Sequence, residues 1–326
     1  MVLLLKTVAL ASTLLASLGA TANAELETVK LSHPIGSTAE VFLFGAHVKS
    51  FRAAMDKNLD ILFMSNESFM DGVNPIRGGI PVVFPNFGSA EGFPSHGFAR
   101  TTNWTLGSVT EATSNHEATV ATFTMASSES TRKMWPVDFK LEYEVHLYPN
   151  QLVTSLRVHN TFTSEIEFHA LLHNYLWVDD ARNEGVTVKG LKGVDYYDKV
   201  AKANLTETRE FISFANQTDN VYSNAPSPLT VNIRGVNNMD RWLEISKSGY
   251  IGNDDTMSDV AEMVAGLPTD VVVWNPWADR AKTMEDFGDE EYKNMVAVEP
   301  GRVSEKQKLP AGETYTLQQS ISVFSL

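Results

Sequence analysis

Residues 139–160 read FKLEYEVHLYPNQLVTSLRVHN, and that spacing leaves the chain few choices. Leu141, Tyr143, Val145 and Leu147 alternate with polar residues, Pro149-Asn150 supplies a turn, and Leu152, Thr154, Leu156 and Val158 resume the alternation. Successive side chains of a strand point to opposite faces, so the pattern predicts a hairpin with one buried face. TYTLQQSISVFSL alternates in the same way at Tyr315, Leu317, Gln319, Ile321 and Val323, and ATVATFTMA, TVNIRG, VVVWN and NMVAVEP add shorter strands. Helical periodicity is confined to SDVAEMVAG, residues 258–266, where Ser258 is placed to cap and Gly266 to terminate. Many short strands and few helices predict an all-β chain folded as a large β-sandwich. No repeat, low-complexity tract or linker divides it, so one domain is expected from residue 25 to 326, with residues 252–270 as an insertion.

The first 24 residues, MVLLLKTVALASTLLASLGATANA, have a lone Lys6, an apolar run and a small-residue site ending at Ala24. This is the pattern of a signal peptide cleaved after Ala24, which implies the secretory pathway or the exterior. An uncleaved anchor is the alternative, but Ser12, Thr13 and Ser17 interrupt a run already short for a membrane span. No later segment is long and apolar enough to insert. The absence of cysteine excludes disulfides, thiolate metal sites and a cysteine nucleophile. Asn66, Asn103, Asn204 and Asn216 begin glycan-acceptor triplets. A net charge of −14 argues against nucleic acid or an anionic membrane as a broad partner, yet leaves room for a local basic pocket. A monomer is the default expectation.

Several residues stand out as candidates. IRGGIPVVFPNFG surrounds Arg77 with glycine and proline, a shaped loop whose one charge either pairs with an acid or serves an anionic ligand. FPSHGFART brings His96 and Arg100 together around Gly97, adding a second guanidinium able to match carboxylate or phosphate oxygens. In IEFHALLHNYLWVDD, strand alternation places Glu167, His169, His173 and Tyr175 on one face, a polar strip that suits a ligand-facing surface. Taken singly, each histidine reads more simply as a satisfied core or surface residue. Glu299 shares a strand face with Met295 and Ala297, and Pro300-Gly301 is expected to end that strand. Its carboxylate either faces a cleft or pairs with a base such as Arg302.

Six segments, IRGGIPVVFPNFG, HGFAR, LLHNYLWVDD, TDNVY, VVVWNPW and DFGDEEYKNMVAVEPG, occur in this order. Together they resemble the motif series of the glucose-6-phosphate 1-epimerase (hexose-6-phosphate mutarotase) branch of the aldose 1-epimerase superfamily, over residues 40–325. The resemblance implies a large β-supersandwich. It places the family's catalytic histidine at His173 and its catalytic glutamate at Glu299. It assigns sugar binding to His96, phosphate binding to Arg77 and Arg100, and orientation of sugar hydroxyls to Asp219. Asn86 and Asn174 depart from the family's usual residues. No metal, nucleotide or other cofactor is implied, and the expected partner is a small sugar or sugar phosphate.

The implied chemistry is ring opening and reclosure of a hexose 6-phosphate, glucose 6-phosphate first. Glu299 would take the O1 proton and His173 would protonate the ring oxygen, with roles exchanged on closure. Free imidazole is mostly neutral at pH 7, so a raised His173 pKa is expected, supplied by Glu299 or Glu167. Two alternatives stay open: an epimerase of non-phosphorylated sugars, and a non-catalytic carbohydrate-binding sandwich.

Overall fold

The computed structural model describes residues 25–235, 240–252 and 266–325. The expected hairpin forms: Phe139–Leu147 pairs with Gln151–Asn160, and Thr314–Ser325 extends the ladder. Tyr143, Leu156 and Leu317 are direct cross-strand neighbours, so their alternation produces one inward row, each member fully buried. These strands belong to a nine-stranded antiparallel sheet.

An eight-stranded sheet packs against it. Its order runs Ala203–Thr206, Asp195–Asp198, Thr218–Tyr222, Asp270–Asn275, Met295–Leu309, Ile166–Leu172 and Val82–Val83, and Tyr175–Trp177 also pairs with Met295–Leu309. Val271, Val273, Val296, Val298, Phe168, Ala170 and Leu172 face the other sheet within one continuous core. The intervening Val221, Val272, Leu171 and Val303 are buried as well, on the outer face beside Phe87 and Trp274. Cover on both faces explains why these segments read as apolar runs while the hairpin alternates cleanly. A third sheet consists of Thr28–Ser32, Thr38–Phe42 and His47–Arg52.

Three expectations need comment. The strand carrying Glu299 does not stop at Pro300-Gly301; it runs from Met295 to Leu309, with a register shift between Arg302 and Gln307. Pairing on both sides overrides the local breaker signal, since Pro300 sits opposite Val271 and Gly301 opposite Leu171. Two short helices, Glu129–Met134 and Trp277–Ala281, were not anticipated; in the first, the Ser128 hydroxyl accepts from the Thr131 N–H in a capping box. The leader at 1–24 and nearly all of the expected helix at 258–266 lie outside the described residues, among which no helix is long and apolar enough to cross a membrane.

Candidate active site

Strand register brings the principal pair together. Tyr175 lies opposite Ala297 and Leu171 opposite Gly301, so both ladders flanking residues 173 and 174 share one alignment. That alignment sets His173 against Glu299 where one strand gives way to the next. Asn174 holds the break: its side-chain amide donates to the Val298 carbonyl at 3.0 Å and to Gln319 Oε1 at 2.7 Å, tying the segment to the opposite sheet. His173 Nδ1 and Glu299 Oε2 are 3.5 Å apart, with the residues 6% and 1% exposed, and neither atom has a hydrogen-bond partner among the described residues. Such atoms are uncommon in a folded protein, and these two face each other at the wall of a cavity.

These two groups line a cavity of about 310 Å³ together with Arg77, His96, Arg100 and Asp219, so all six residues singled out from the sequence converge on one hollow. The His173 ring stacks on Tyr175 at 4.5 Å and 7° and meets His96 and Trp274 edge-on. His96 has a left-handed backbone, φ 64°, and is followed by Gly97, where a Cβ would lie 2.1 Å from the Phe84 carbonyl oxygen. That turn aims the imidazole inward, and the Gly88 N–H donates to its Nδ1 at 3.4 Å. With Nδ1 as acceptor, the neutral ring carries its proton on Nε2.

The two arginines differ. Arg77 donates through Nε and Nη2 to Asp286 Oδ2, at 3.1 and 2.9 Å, and through Nη1 to the Tyr175 hydroxyl at 2.9 Å. Arg100 is 8% exposed and donates through Nη2 to the Ser95 carbonyl, while its Nε has no partner and no carboxylate reaches it among the described residues. Burial lowers its pKa to about 10, so it stays charged at neutral pH. Lys199 pairs with Asp219 at 3.0 Å, whereas Arg280 lines the cavity without a carboxylate partner among the described residues. In an acidic protein, this hollow thus keeps two guanidinium groups, Arg100 and Arg280, that no carboxylate pairs among the described residues.

Burial sets the protonation of the central pair. It drives His173 well below the ordinary histidine value, with His96, Arg77 and Arg100 adding to the effect. It also pushes Glu299 well above the ordinary carboxyl value, assisted by Asp219 and opposed by Lys199 and Arg77. The expected upward shift of His173 is therefore wrong in direction, because desolvation and nearby cations outweigh the carboxyl. Glu167 plays no part; it is exposed and pairs with Lys308 at 3.3 Å. Both shifts have the same sense: the site disfavours charge on either member of the pair.

Other expectations are also corrected. His169 shares the strand face but accepts the Phe87 N–H, which makes it a support for the cavity wall. Gly79, beside Arg77, serves backbone packing: a Cβ there would lie 2.3 Å from the Val48 carbonyl oxygen. Asn86 donates to the Phe87 and Gly88 carbonyls and shapes the loop from behind. Lys199, Arg280, Trp274 and Asp286 were not identified from sequence as members of the site. Trp274 and Asp286 fall within VVVWNPW and DFGDEEYKNMVAVEPG, but nothing local distinguishes Lys199 or Arg280 from surface cations. Among the described residues, no group of three or more His, Asp or Glu side chains could hold a metal ion.

Comparison with known proteins agrees with this architecture. The aldose 1-epimerase family model matches residues 27–322. A protein of Cenchrus ciliaris provisionally named glucose-6-phosphate 1-epimerase is 33% identical over 296 residues, covering 89% of this chain and 82% of its own. An Escherichia coli K12 protein of the same provisional name is 33% identical over 310 residues, covering 92% and 91%. A Salmonella typhimurium crystal structure provisionally described as a mutarotase superposes with a TM-score of 0.75 at 28% identity, covering 93% and 92% of the two chains.

Proposed function

The chain belongs to the aldose 1-epimerase family, and from that premise we propose that it interconverts the α and β anomers of a hexose 6-phosphate, with glucose 6-phosphate the first candidate. The observation that carries this reading is the buried His173–Glu299 pair, unpartnered at facing atoms, in the same cavity as an Arg100 that no carboxylate pairs, both among the described residues.

Opening a pyranose requires one proton on the ring oxygen and removal of one from the C1 hydroxyl. A general acid and a general base facing each other in one cavity meet both demands. His173, protonated, gives its proton to O5 as Glu299 takes the O1 proton and the C1–O5 bond breaks, leaving an aldehyde and a neutral imidazole. After rotation about C1–C2, O5 attacks the other carbonyl face, His173 recovers the O5 proton and Glu299 returns its proton to O1. Positioned proton transfer of this kind contributes about 10²- to 10⁴-fold to rate.

The phosphate has a role beyond anchoring. A phosphate monoester carries about −1.5 to −2 charge at pH 7, matching the uncompensated Arg100 and Arg280. Burial is the main cause that lowers His173; a phosphate beside Arg100 and Arg77 offsets the positive field that adds to it and so moves the imidazole towards the protonated form that opening requires. In this reading His96 Nε2–H donates to a sugar oxygen, and Asp219, held by Lys199, orients hydroxyls. NMR magnetisation transfer between α and β C1–H signals tests the reading on glucose 6-phosphate, galactose 6-phosphate and the free sugars. Faster exchange of a phosphorylated sugar supports it; equal or faster turnover of free hexoses makes the enzyme an epimerase of non-phosphorylated sugars. Absence of any enzymatic exchange rejects catalysis.

A further inference from the structure

Residues 173 and 174 belong to neither of the strands they separate, Ile166–Leu172 and Tyr175–Trp177. The His173 N–H donates to the Pro81 carbonyl and the Asn174 N–H to the Leu172 carbonyl, so neither is given to the strand that carries Glu299. A side chain makes the cross-strand bond instead, from Asn174 Nδ2 to the Val298 carbonyl at 3.0 Å. Side chains of extended backbone alternate, so His173 and Glu299 line the cavity while Asn174 and Val298 are buried behind it, towards the opposite sheet.

On that sheet, Leu317 and Ile321 keep the apolar alternation of the strand Thr314–Ser325, and Gln319 interrupts it with a fully buried amide. Gln319 Nε2 donates to Asn174 Oδ1 at 2.9 Å while Asn174 Nδ2 donates to Gln319 Oε1 at 2.7 Å, which makes a head-to-tail amide pair. The second proton of each amide has its own acceptor: the Val298 carbonyl for Asn174, and Thr154 Oγ1, at 3.1 Å, for Gln319. Burying an amide is unfavourable unless its groups are paired, and here all four N–H groups are used. A fully paired network holds one geometry, because displacement strands a donor in the core.

We propose that Gln319, acting through Asn174, is a positioning residue that sets the separation of His173 and Glu299. The inference rests on the anomerase reading of the cavity. The amide pair grips the chain at Asn174, next to His173, and at Val298, next to Glu299. Gln319 does not line the cavity, so its hold leaves the space for the sugar free. An apolar side chain at 319 would continue the strand's alternation and fill the same core. What the amide adds is a fixed register between the two segments that carry the acid and the base.

The test is NMR anomer exchange on glucose 6-phosphate by the wild type, Gln319→Met, Asn174→Thr and the double variant, with folding followed by circular dichroism. A misplacement of about 1 Å costs about 100-fold in rate, so each single variant is expected to lower kcat about tenfold or more with KM within about threefold. Because the two amides act as a unit, the double variant should lose no more than about threefold beyond the worse single. Asn174→Thr keeps a hydroxyl donor near the Val298 carbonyl and serves as the probe if Gln319→Met fails to fold. A kcat within about threefold of the wild type in a folded single variant, or losses that multiply in the double, would overturn the proposal. The imidazole 15N shifts of His173 separate this outcome from failure of the catalytic reading. Glu299→Gln should move them in the wild-type background and much less beside Asn174→Thr or Gln319→Met. If no sugar is turned over, that contrast still supports the positioning role, and an equal or absent response in both backgrounds refutes it.

Discussion

Arg100→Ala offers the most direct test of phosphate recognition. Arg77 is already engaged by Asp286 and Tyr175, so removing it also strands a carboxylate and a phenol. Among the described residues, Arg100 has only the Ser95 carbonyl to lose, and its Nε has no partner. A hydrogen bond to a charged group contributes about 1.5–3 kcal/mol, which corresponds to about 10- to 150-fold in affinity or in kcat/KM. A phosphate that accepts one N–H from Arg100 should therefore lose that factor in the variant, through KM more than kcat, while free glucose is unaffected within about threefold. Arg100→Lys keeps the charge without the planar fork and should recover part of the loss. The assay is NMR anomer exchange on both sugars, with thermal melting as a check on folding. Because Arg100 has no carboxylate partner among the described residues, the melting temperature should change little. Equal losses on glucose 6-phosphate and glucose would refute the assignment of Arg100 to phosphate.

Glu299→Gln and His173→Ala should each slow anomerisation at least about 100-fold with the fold intact by circular dichroism, and a near-normal rate in either variant removes that residue from the mechanism. Asp286→Asn frees Arg77 and makes the cavity more positive, so titration calorimetry should show severalfold tighter binding of inorganic phosphate with a lower melting temperature; unchanged phosphate affinity would mean that Asp286 does not compete for Arg77. Burial depresses His47 to about 3 and His169 to about 4, so below the unfolded value of about 6.5 the unfolded chain binds more protons than the native one. Stability should fall as pH drops from 6.5 towards 4, and His169→Asn, which keeps an acceptor for the Phe87 N–H, should flatten that fall in melting curves. Glu299 has the opposite sign: its raised folded value stabilises below about pH 4.3, and that contribution is lost as pH rises towards the folded value. Glu299→Gln should therefore narrow the stability difference between pH 5 and 8; an unchanged difference would show that this carboxyl is not held protonated.

Alternation of apolar residues was enough to read the sheets, because strand geometry imposes it locally, and Tyr143, Leu156 and Leu317 form the row their spacing demands. The shared face of His173 and Tyr175, and that of Ala297 and Glu299, follow from the same rule. Proline and glycine misled at residues 300–301, since a breaker acts on the isolated chain whereas two flanking ladders act on the folded one. Pairing between residues 173 and 299 is a matter of register, which no local pattern encodes. Whether Arg77 meets an acid, whether Arg100 goes without one and which way His173 titrates are set by neighbours up to 209 residues away in the chain. The sequence by itself determined the strands and the residue types available for chemistry; tertiary packing alone decided their charge states, because desolvation and Coulomb fields depend on distances in space.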